Sequence, residues 1–578
     1  MRELIYTNPN GVSVTLGGAP SKYFITSVDG LGSPVVSLQT QKAPYQDGVT
    51  LIDQLNEPRT ITVEGAITDL DEATLSTSRR TLISTLNPKL GAGTLSYKNE
   101  NGNIYYITAL PIDSPILPNR KRPGDIMQKF MVQFYCADPY WRKTTATTGT
   151  LYGPVCTKDA HITVASNGIS ALRGGKSFIR MANDHLAVCY VRDADNFIAL
   201  RISEDAGVTW GAEIAISAAD NKYASFYLNP AVPAFLGVAA IRTADSYIVK
   251  YESADYGATW GAAAEVVAAA CDRPVAIKQL DDNYRIVYMR TVVADIKLFT
   301  RQGTALTTAA LGAEVAIDAD PIAAIDGGIS FMQFDTGELI VCAGGSGSAQ
   351  CWRSSAVDVW SNPITITSAA IHDWPFCVQK IGDDMLMALF HSDDAAVTYP
   401  DGIIYAIFSL DRGLTWGSGF SSTYYKACYN TDAKYYGEFI IEPSGACYYI
   451  YEIANGQIEM YRPDIIANNG DIDTGIQFTL TGKQVNPLLV NPRTEKLIDL
   501  TETQATGNNI AIDTSFGVKT IDINKGTTPE NGIALITANS NFYNMKIGDS
   551  ALWFLYEDNA PTDAPVGAYS FTEKYLGV

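Results

Sequence analysis

The chain has 578 residues, 42 of them basic and 62 acidic, and a formal net charge of −20. This acidic balance disfavours direct binding to nucleic acid, because such binding depends on clustered Lys and Arg. The sequence contains no apolar run of about 18 residues, so we expect no membrane span. Its first residues, MRELIYTNPNG, lack the apolar stretch of a secretory signal. A chain of this length is expected to form several domains.

Residues 1–145 predict an α+β unit built mostly of antiparallel strands. Strands are predicted for ELIYTN and VSVTL, for RTITVEGAIT, and later for GTLSYKN, NIYYITAL and KFMVQFYCADPYWRK. The segment DEATLSTSRRTLISTLNPK predicts one amphipathic helix, since Leu75, Leu82, Ile83 and Leu86 recur at helical spacing.

Three short segments further along the chain are near copies of one another. They read SEDAGVTWG, SADYGATWG and SLDRGLTWG, and each fits S-x-D-x-G-x-T-W-G. Fifty residues separate the first two copies, and 156 separate the second from the third, about three further steps of the same period. We call each segment a box. The positions used below are Ser203, Asp205, Gly207 and Trp210 in the first box, Ser253, Asp255, Gly257 and Trp260 in the second, and Ser409, Asp411, Gly413 and Trp416 in the third.

Weaker copies of the unit lie between the second and third boxes. LFTRQGTALTTAALGAEVAID and CWRSSAVDVWSNPITI fall near the expected positions, and a sixth unit ends in IEMYR at Arg462. Alternating strands lead into the boxes, and further strands such as HLAVCYV and YRIVYMR precede them. Four short strands in a unit of about fifty residues are typical of a propeller blade. The repeats therefore predict a mainly β chain with a six-bladed β-propeller.

The residue types of the box favour a structural role. An Asp in this position can accept hydrogen bonds from backbone N–H groups of its own turn. The glycine supplies a positive φ that other residues resist. The tryptophan is expected to pack between neighbouring blades, because every unit must bury a face against the next one. A ligand-binding role for the tryptophans is the alternative.

The box pattern resembles the Asp-box repeats of the sialidase superfamily. The resemblance implies a six-bladed propeller over residues 150–465, but not sialidase chemistry, because a fold does not fix a function. A sialidase would need an arginine cluster for the substrate carboxylate and a tyrosine nucleophile assisted by a glutamate. The candidates are Arg180, Arg273 and Arg353 for the cluster, Tyr436 or Tyr435 for the nucleophile, and Glu438 or Glu452 beside it.

The two flanks of the repeats resemble the distal tail proteins of siphophages. The N-terminal match is carried by Asn10 and Gly11, by GLGSPVV, by QDG, by Arg59 leading RTITVEG, and by the closing DPYW. The segment NNGDIDTGIQFTLTGKQVNPLLVNPRTEKLIDL and the later MKIGDSALWFLY resemble that family's second domain. The resemblance implies a ring-forming domain over residues 1–145 and a galectin-like β-sandwich over residues 466–578, with the propeller inserted between them.

The combined resemblance implies a structural protein of the virion, made in the host cytoplasm. The expected assembly is a homo-hexameric ring at the distal end of the tail tube, in contact with the tube protein and with a tail-associated hub or fibre protein. The inserted propeller is expected to project and to bind host-surface carbohydrate. Two alternatives stay open: the propeller is an active sialidase-type glycosidase, or it is a spacer or protein-docking platform without a ligand.

No cofactor or metal site is expected from the sequence. The four histidines are scattered without HxH or HxxxH spacing, and the nine cysteines form no CxxC pair. Several cysteines, including Cys189, Cys342 and Cys447, lie in apolar strands, where a small buried thiol is expected.

Overall fold

A computed structural model of the chain describes residues 3–44, 47–118, 126–155, 162–166, 169–171, 175–292, 295–318, 328–345, 348–354, 358–367, 374–391, 403–429, 434–453, 457–526, 528–557 and 565–578. The described chain is mainly β, as expected, with one α-helix, Glu72–Thr85. Short 3-10 helices lie at Pro88–Leu90, Pro492–Thr494 and Ile533–Leu535. No helix in these ranges is long and apolar enough to span a bilayer.

Seven strands of the N-terminal region close into a barrel. Around the barrel they follow the order Glu3–Thr7, Ser13–Gly17, Tyr23–Asp29, Arg59–Thr68, Met127–Cys136, Ile104–Pro111 and Gly93–Lys98, and the last pairs with the first. Every second residue of Arg59–Thr68 is buried, so one face of this strand lines the core. Trp141–Lys143 extends the barrel sheet, and Lys574–Tyr575, near the C-terminus, pairs with it.

The helix packs on the barrel core through one face. Asp71 accepts a hydrogen bond from the backbone N of Thr74 at 2.8 Å, and so caps the helix N-terminus. Leu75, Leu82 and Leu86 join the barrel core, as the spacing predicts. Ile83, which we expected on the same face, is 40% exposed. It follows Leu82 by one position, and one step turns the side chain about 100° around the axis.

A two-stranded hairpin extends from the barrel, and we call it the arm. Its strands, Val36–Gln41 and Thr50–Asn56, pair only with each other among the described strands. Apolar side chains on it face solvent: Val35 is 73% exposed, Leu38 59% and Ile52 63%. An exposed apolar hairpin of this kind marks an interaction surface.

Six antiparallel sheets, each of four main strands, make up the repeat region, and we call them together the six-sheet ring. Sheet 1 contains Phe178–Arg180, Leu186–Arg192, Ile198–Ser203 and Ile214–Ala215, with Ile169–Ala171 on its second strand; sheet 2 contains Asn221–Leu228, Leu236–Arg242, Ile248–Ser253 and Ala264–Val267; sheet 3 contains Asp272–Lys278, Tyr284–Val292, Asp295–Gly303 and Val315–Ala316; sheet 4 contains Ile329–Gln333, Leu339–Gly345, Ser348–Ser354 and Ile364–Thr365; sheet 5 contains Trp374–Lys380, Leu386–His391, Ile403–Ser409 and Tyr425–Tyr429; sheet 6 contains Lys434–Ile441, Cys447–Ile453, Gln457–Tyr461 and Ile162–Ala165.

The sheets pack face to face around a closed circle. A separate apolar cluster fills each junction between successive sheets, including the junction of sheet 6 with sheet 1. The first strand of each sheet is the innermost, since these strands contact one another from sheet to sheet. Ile162–Ala165, from the start of the ring, is the outermost strand of sheet 6 and pairs with Gln457–Tyr461. The two ends of the ring segment therefore meet in one sheet.

The C-terminal unit consists of two sheets around one core. The strands of the first sheet follow the order Thr147–Leu151, Val566–Phe571, Gln477–Thr481, Asn509–Asp513, Thr520–Asn524 and Pro529–Asn531. The second sheet contains Trp553–Glu557, Gln484–Asn491, Lys496–Asp499 and Thr503–Gln504. A small two-stranded sheet pairs Ile466–Asn468 with Gly548–Ser550. Phe478 and Ile510 from the first sheet meet Leu489 and Phe554 from the second in a shared cluster.

The second sheet of the C-terminal unit is buried on both faces. Leu489 and Ile498 face its own partner sheet, whereas Leu488, Val490 and Leu497 join the apolar cluster of ring sheets 5 and 6. Lys426 of sheet 5 also pairs with Tyr556 of this sheet. The ring is thus fixed to the C-terminal unit through a shared core.

Sheet pairing also refines where the ring is inserted. The expected joint near residue 150 falls within Thr147–Leu151, which belongs to the first sheet of the C-terminal unit. The ring is therefore inserted after the first strand of that unit, rather than between two separate units. Residues 574–578, which we expected in the sandwich, return to the barrel, where Arg59 donates a hydrogen bond to the carbonyl oxygen of Leu576 at 2.5 Å.

Candidate functional site

The three boxes form the same hydrogen-bonded turn. In the first box the Ser203 hydroxyl donates to Asp205 at 2.9 Å and accepts from the N–H of Gly207 at 2.8 Å. The Asp205 carboxylate also accepts from the backbone N–H of Thr209 at 2.8 Å and from its hydroxyl at 2.7 Å. The second and third boxes repeat all four contacts.

These hydrogen bonds hold the box carboxylates in the charged form. The backbone N–H and then the hydroxyl of Thr209 lower the pKa of Asp205 to about 2. Hydrogen bonds from the hydroxyls of Thr259 and Ser253 make the largest contributions to lowering the pKa of Asp255, also to about 2. The box aspartates therefore stay ionised across the physiological range and are engaged within their own turns.

The glycine and tryptophan of each box lie at the junction with the preceding sheet. Gly257 has a φ of 88°, and a Cβ placed on it would lie 2.7 Å from Leu200 Cδ2 of sheet 1. Trp210, Trp260 and Trp416 pack against the clusters between sheets 6 and 1, 1 and 2, and 4 and 5, respectively. The box thus shapes the junction between sheets.

The boxes share one face of the ring with the turns between first and second strands, and we call it the box face. The C-terminal unit covers this face over sheets 5 and 6. Asn539 donates to the carbonyl oxygen of Gly419 in the third box loop at 3.0 Å. Asp499 accepts from the N–H of Ser421 at 2.7 Å and from the Tyr425 hydroxyl at 2.9 Å. The N–H of Ala551 donates to Ser444 at 2.9 Å, in the first turn of sheet 6.

Over sheets 1 and 2 the box face carries an open cleft of about 750 Å³. Its walls are the first turn of sheet 1, the first box and part of the second box. Trp210, Tyr256, Asn183 and His185 line it, together with acidic residues from both boxes. Its size suits a small ligand. We refer to this space as the cleft.

A buried glutamate joins the last sheet to the first at the centre of the ring. Glu438, on the first strand of sheet 6, accepts from the backbone N–H groups of Ser177 at 2.6 Å and Phe178 at 3.0 Å. Burial raises the pKa of Glu438 to about 7, and the two hydrogen bonds and the nearby Lys176 act in the opposite direction. The carboxylate connects innermost strands, and Cys189 and Cys377 lie near it.

The three candidate arginines do not converge. Arg180 ends the first strand of sheet 1, whereas Arg273 is the second residue of the first strand of sheet 3, so they lie near opposite faces of the ring. Several strand residues separate those faces, about 15 Å or more. Arg353 lies on the third strand of sheet 4, away from the innermost position.

Each candidate arginine also has a local contact. Arg180 forms an ion pair with Glu442 and donates to Asp184 at 3.3 Å. Arg353 donates to Glu338 at 3.0 Å. The guanidinium of buried Arg273 lies 5.1 Å from the ring centroid of Tyr223.

The other enzyme candidates are less informative. The side chains of Tyr435 and Tyr436 lie outside the described residues. Glu452 lies on the second strand of sheet 6, opposite Ile458. The described residues contain no group of three or more His, Cys, Asp and Glu side chains placed to hold a metal ion.

A second repeated cluster was missed in the sequence. Arg192 donates to Asp195 at 3.0 Å and to Glu213 at 2.9 Å. Arg242 contacts Asp245 and Glu265 in the same way in sheet 2. In sheet 3, Arg290 donates to Glu314 at 3.1 Å. The available sequence signal was an arginine at or near the end of the second strand in sheets 1 to 3, followed further along by GAE or AAE.

Comparison with known proteins identifies the N-terminal region. Residues 21–136 match the family model described as the phage tail protein RIFT-related domain. The match contains five of the seven barrel strands, from Tyr23–Asp29 to Met127–Cys136. The expected place of this region in a phage tail protein family is confirmed. No curated protein matches the chain.

Solved structures resemble the chain at low identity. The Hadza microbial sialidase Hz136 aligns with a TM-score of 0.41 and 11% identity, over 61% of this chain and 81% of that chain. An α-L-arabinofuranosidase from Fusarium graminearum aligns with a TM-score of 0.36 and 12% identity, over 54% and 98%. The Dit protein of SPP1 aligns with a TM-score of 0.22 and 11% identity, over 43% and 82%. At such identities these similarities say nothing about chemistry.

Replacing the box glycine should destabilise the ring through two effects. We expect Gly257→Ala to lower the free energy of unfolding by about 2–5 kcal/mol, because it combines a disfavoured positive φ with overpacking against buried Leu200. Gly337→Ala is the matched control, since Gly337 has a φ of 91° and no atom within 4 Å of the added Cβ. It should cost about 1–2 kcal/mol. Urea unfolding followed by tryptophan fluorescence compares the two, and equal losses would contradict the packing role.

The buried glutamate should make stability depend on pH. Because the folded pKa of Glu438 is about 7 and its ordinary value is 4.5, the folded state retains the proton between these values while the unfolded state loses it. Stability should therefore fall as pH rises from 4.5 to 7, by up to about 3 kcal/mol. Glu438→Gln should remove this slope in thermal unfolding curves, whereas Glu204→Gln, at an exposed position, should keep it. An unchanged slope in Glu438→Gln would refute the assignment.

Proposed function

We propose that this chain is a distal tail protein of a siphophage virion, six copies of which form a ring at the end of the tail tube. In that position it connects the tube protein to a tail-associated hub or fibre protein. The observation that carries the proposal is the match to a phage tail protein domain over residues 21–136, which contains five of the seven strands of the closed barrel. We infer further that the six-sheet ring is an Asp-box β-propeller and that the C-terminal unit is a galectin-like sandwich.

The arm supports the oligomeric part of the proposal. Its apolar side chains are exposed on a hairpin that has no cover from the rest of the described chain. A monomer seldom leaves such a surface in water, and a closed ring of identical subunits would bury it in a repeated contact. The neighbouring subunit is therefore the occupant that we assign to the arm.

The proposed role of the propeller is to bind carbohydrate on the host surface. The apolar core that it shares with the C-terminal unit holds it in a fixed position. The cleft on the uncovered part of the box face has the size of a small-ligand site. The proposal assigns no catalysis to the propeller, which accords with the separation of Arg180 from Arg273 and with the ion pair between Arg180 and Glu442.

Lysine substitutions in the arm should dissociate the hexamer of subunits. We expect the wild-type chain to form hexamers by light scattering after gel filtration, and six-fold rings in negative-stain images. Leu38→Lys combined with Ile52→Lys should shift it to monomers, because lysine ammonium groups cannot be buried unpaired. Phe516→Lys is the control, since Phe516 is 94% exposed on the C-terminal unit, and should leave hexamers intact. A monomeric wild type would contradict the proposal.

Carbohydrate binding is tested with the fluorescently labelled full-length chain on a printed array of bacterial-surface and mammalian oligosaccharides. We expect binding to a restricted set of glycans, because a single cleft shape selects among sugars. Absence of binding to every glycan on the array would instead favour a role of the propeller as a spacer. Release of a fluorogenic sialoside by the chain would favour the glycosidase.

A further inference from the structure

We propose that the cleft between sheets 1 and 2 is the sugar-binding site of the propeller, and that it takes a neutral hexose or N-acetylhexosamine rather than an acidic sugar. The inference rests on the proposed carbohydrate-binding function and adds the site and the class of ligand. It places the ligand on the part of the box face that the C-terminal unit leaves uncovered.

The first argument is the combination of aromatic and polar walls. Trp210 and Tyr256 line the cleft and are only partly buried. A sugar ring has an apolar C–H face that packs on an aromatic ring, and hydroxyl groups that need hydrogen-bond partners. The cleft of about 750 Å³ has room for one or two sugar units.

The second argument is the orientation of the His185 ring. Asn183 Oδ1 faces the backbone N–H of His185 at 3.4 Å, so its Nδ2 is the atom that lies 3.2 Å from His185 Nδ1. The amide therefore donates to Nδ1, and the neutral ring carries its proton on Nε2. His185 lines the cleft, and an Nε2–H group is a donor suited to a sugar hydroxyl or acetamido oxygen.

The third argument is the charge of the walls. Glu204, Asp205 and Asp255 line the cleft, and none of the described Lys and Arg residues does so. The carboxylate of a sialic or uronic acid would lie among like charges without a cationic partner, which is unfavourable. The net charge of −20 on the chain adds to this repulsion. A neutral sugar meets no such penalty.

The position of the cleft in the ring supplies a matched control. Trp210 and Trp416 occupy the same place in two boxes and pack against equivalent sheet junctions. Only Trp210 lines the cleft, whereas the third box lies beside the C-terminal unit. A loss of sugar binding that follows Trp210 but not Trp416 separates ligand contact from the structural role of a box tryptophan.

The test uses the full-length chain on an array that pairs neutral oligosaccharides with their sialylated forms, followed by calorimetric titration of the best neutral member. We expect preference for the neutral form. His185→Ala and Trp210→Ala should each weaken binding by about tenfold or more, and Trp416→Ala should bind as the wild type does. Because Trp210→Ala could disturb the sheet junction, His185→Ala, at a partly exposed turn position, provides the independent variant.

The outcomes separate the site from the function. Wild-type binding that survives both His185→Ala and Trp210→Ala, or that prefers the sialylated form, overturns the cleft assignment and leaves the carbohydrate-binding proposal intact. Loss of binding in Trp416→Ala equal to that in Trp210→Ala, with His185→Ala unaffected, also overturns the assignment. Absence of any binding by the wild type overturns both.

Discussion

The apolar core shared by ring sheets 5 and 6 and the C-terminal unit is the constraint on which the arrangement of this chain depends. One strand, Gln484–Asn491, contributes Leu488 and Val490 to that core and Leu489 to the core of its own unit. Strand side chains alternate between faces, so a single strand can belong to two cores. The ring cannot turn about its joints without exposing this surface to water, and its orientation is therefore fixed by the hydrophobic effect.

This contact also determines which surfaces are free. The C-terminal unit occupies the box face over sheets 5 and 6, where Asp499 binds Ser421 and Tyr425. The same face over sheets 1 and 2 stays open and holds the cleft. Without the C-terminal unit, the box face would be similarly open at all six junctions between sheets. Because the unit covers this face over sheets 5 and 6, the junctions differ in exposure.

Closure of the six-sheet ring uses three different interactions. The outer strand Ile162–Ala165 completes sheet 6, an apolar cluster fills the last junction, and Glu438 joins the innermost strands by accepting two backbone hydrogen bonds. The boxes contribute turns and packing, and their carboxylates are engaged locally. The box residues thus maintain the scaffold, while two residues that distinguish the cleft, His185 and Asn183, lie outside the boxes.

The sequence by itself determined the helix, most of the strands and the division of the chain into three regions. The helix, the barrel strands, the period of the repeats and the internal bonding of the boxes follow from local spacing and turn chemistry, which neighbouring residues settle among themselves. Only the tertiary structure decided that Thr147–Leu151 pairs with Val566–Phe571, that Arg180 and Arg273 lie near opposite faces, and that Glu438 meets Ser177. These relations join residues far apart in the chain, and they depend on how the sheets close around the ring and on what docks against it. Local sequence patterns do not determine how the sheets close or what docks against them.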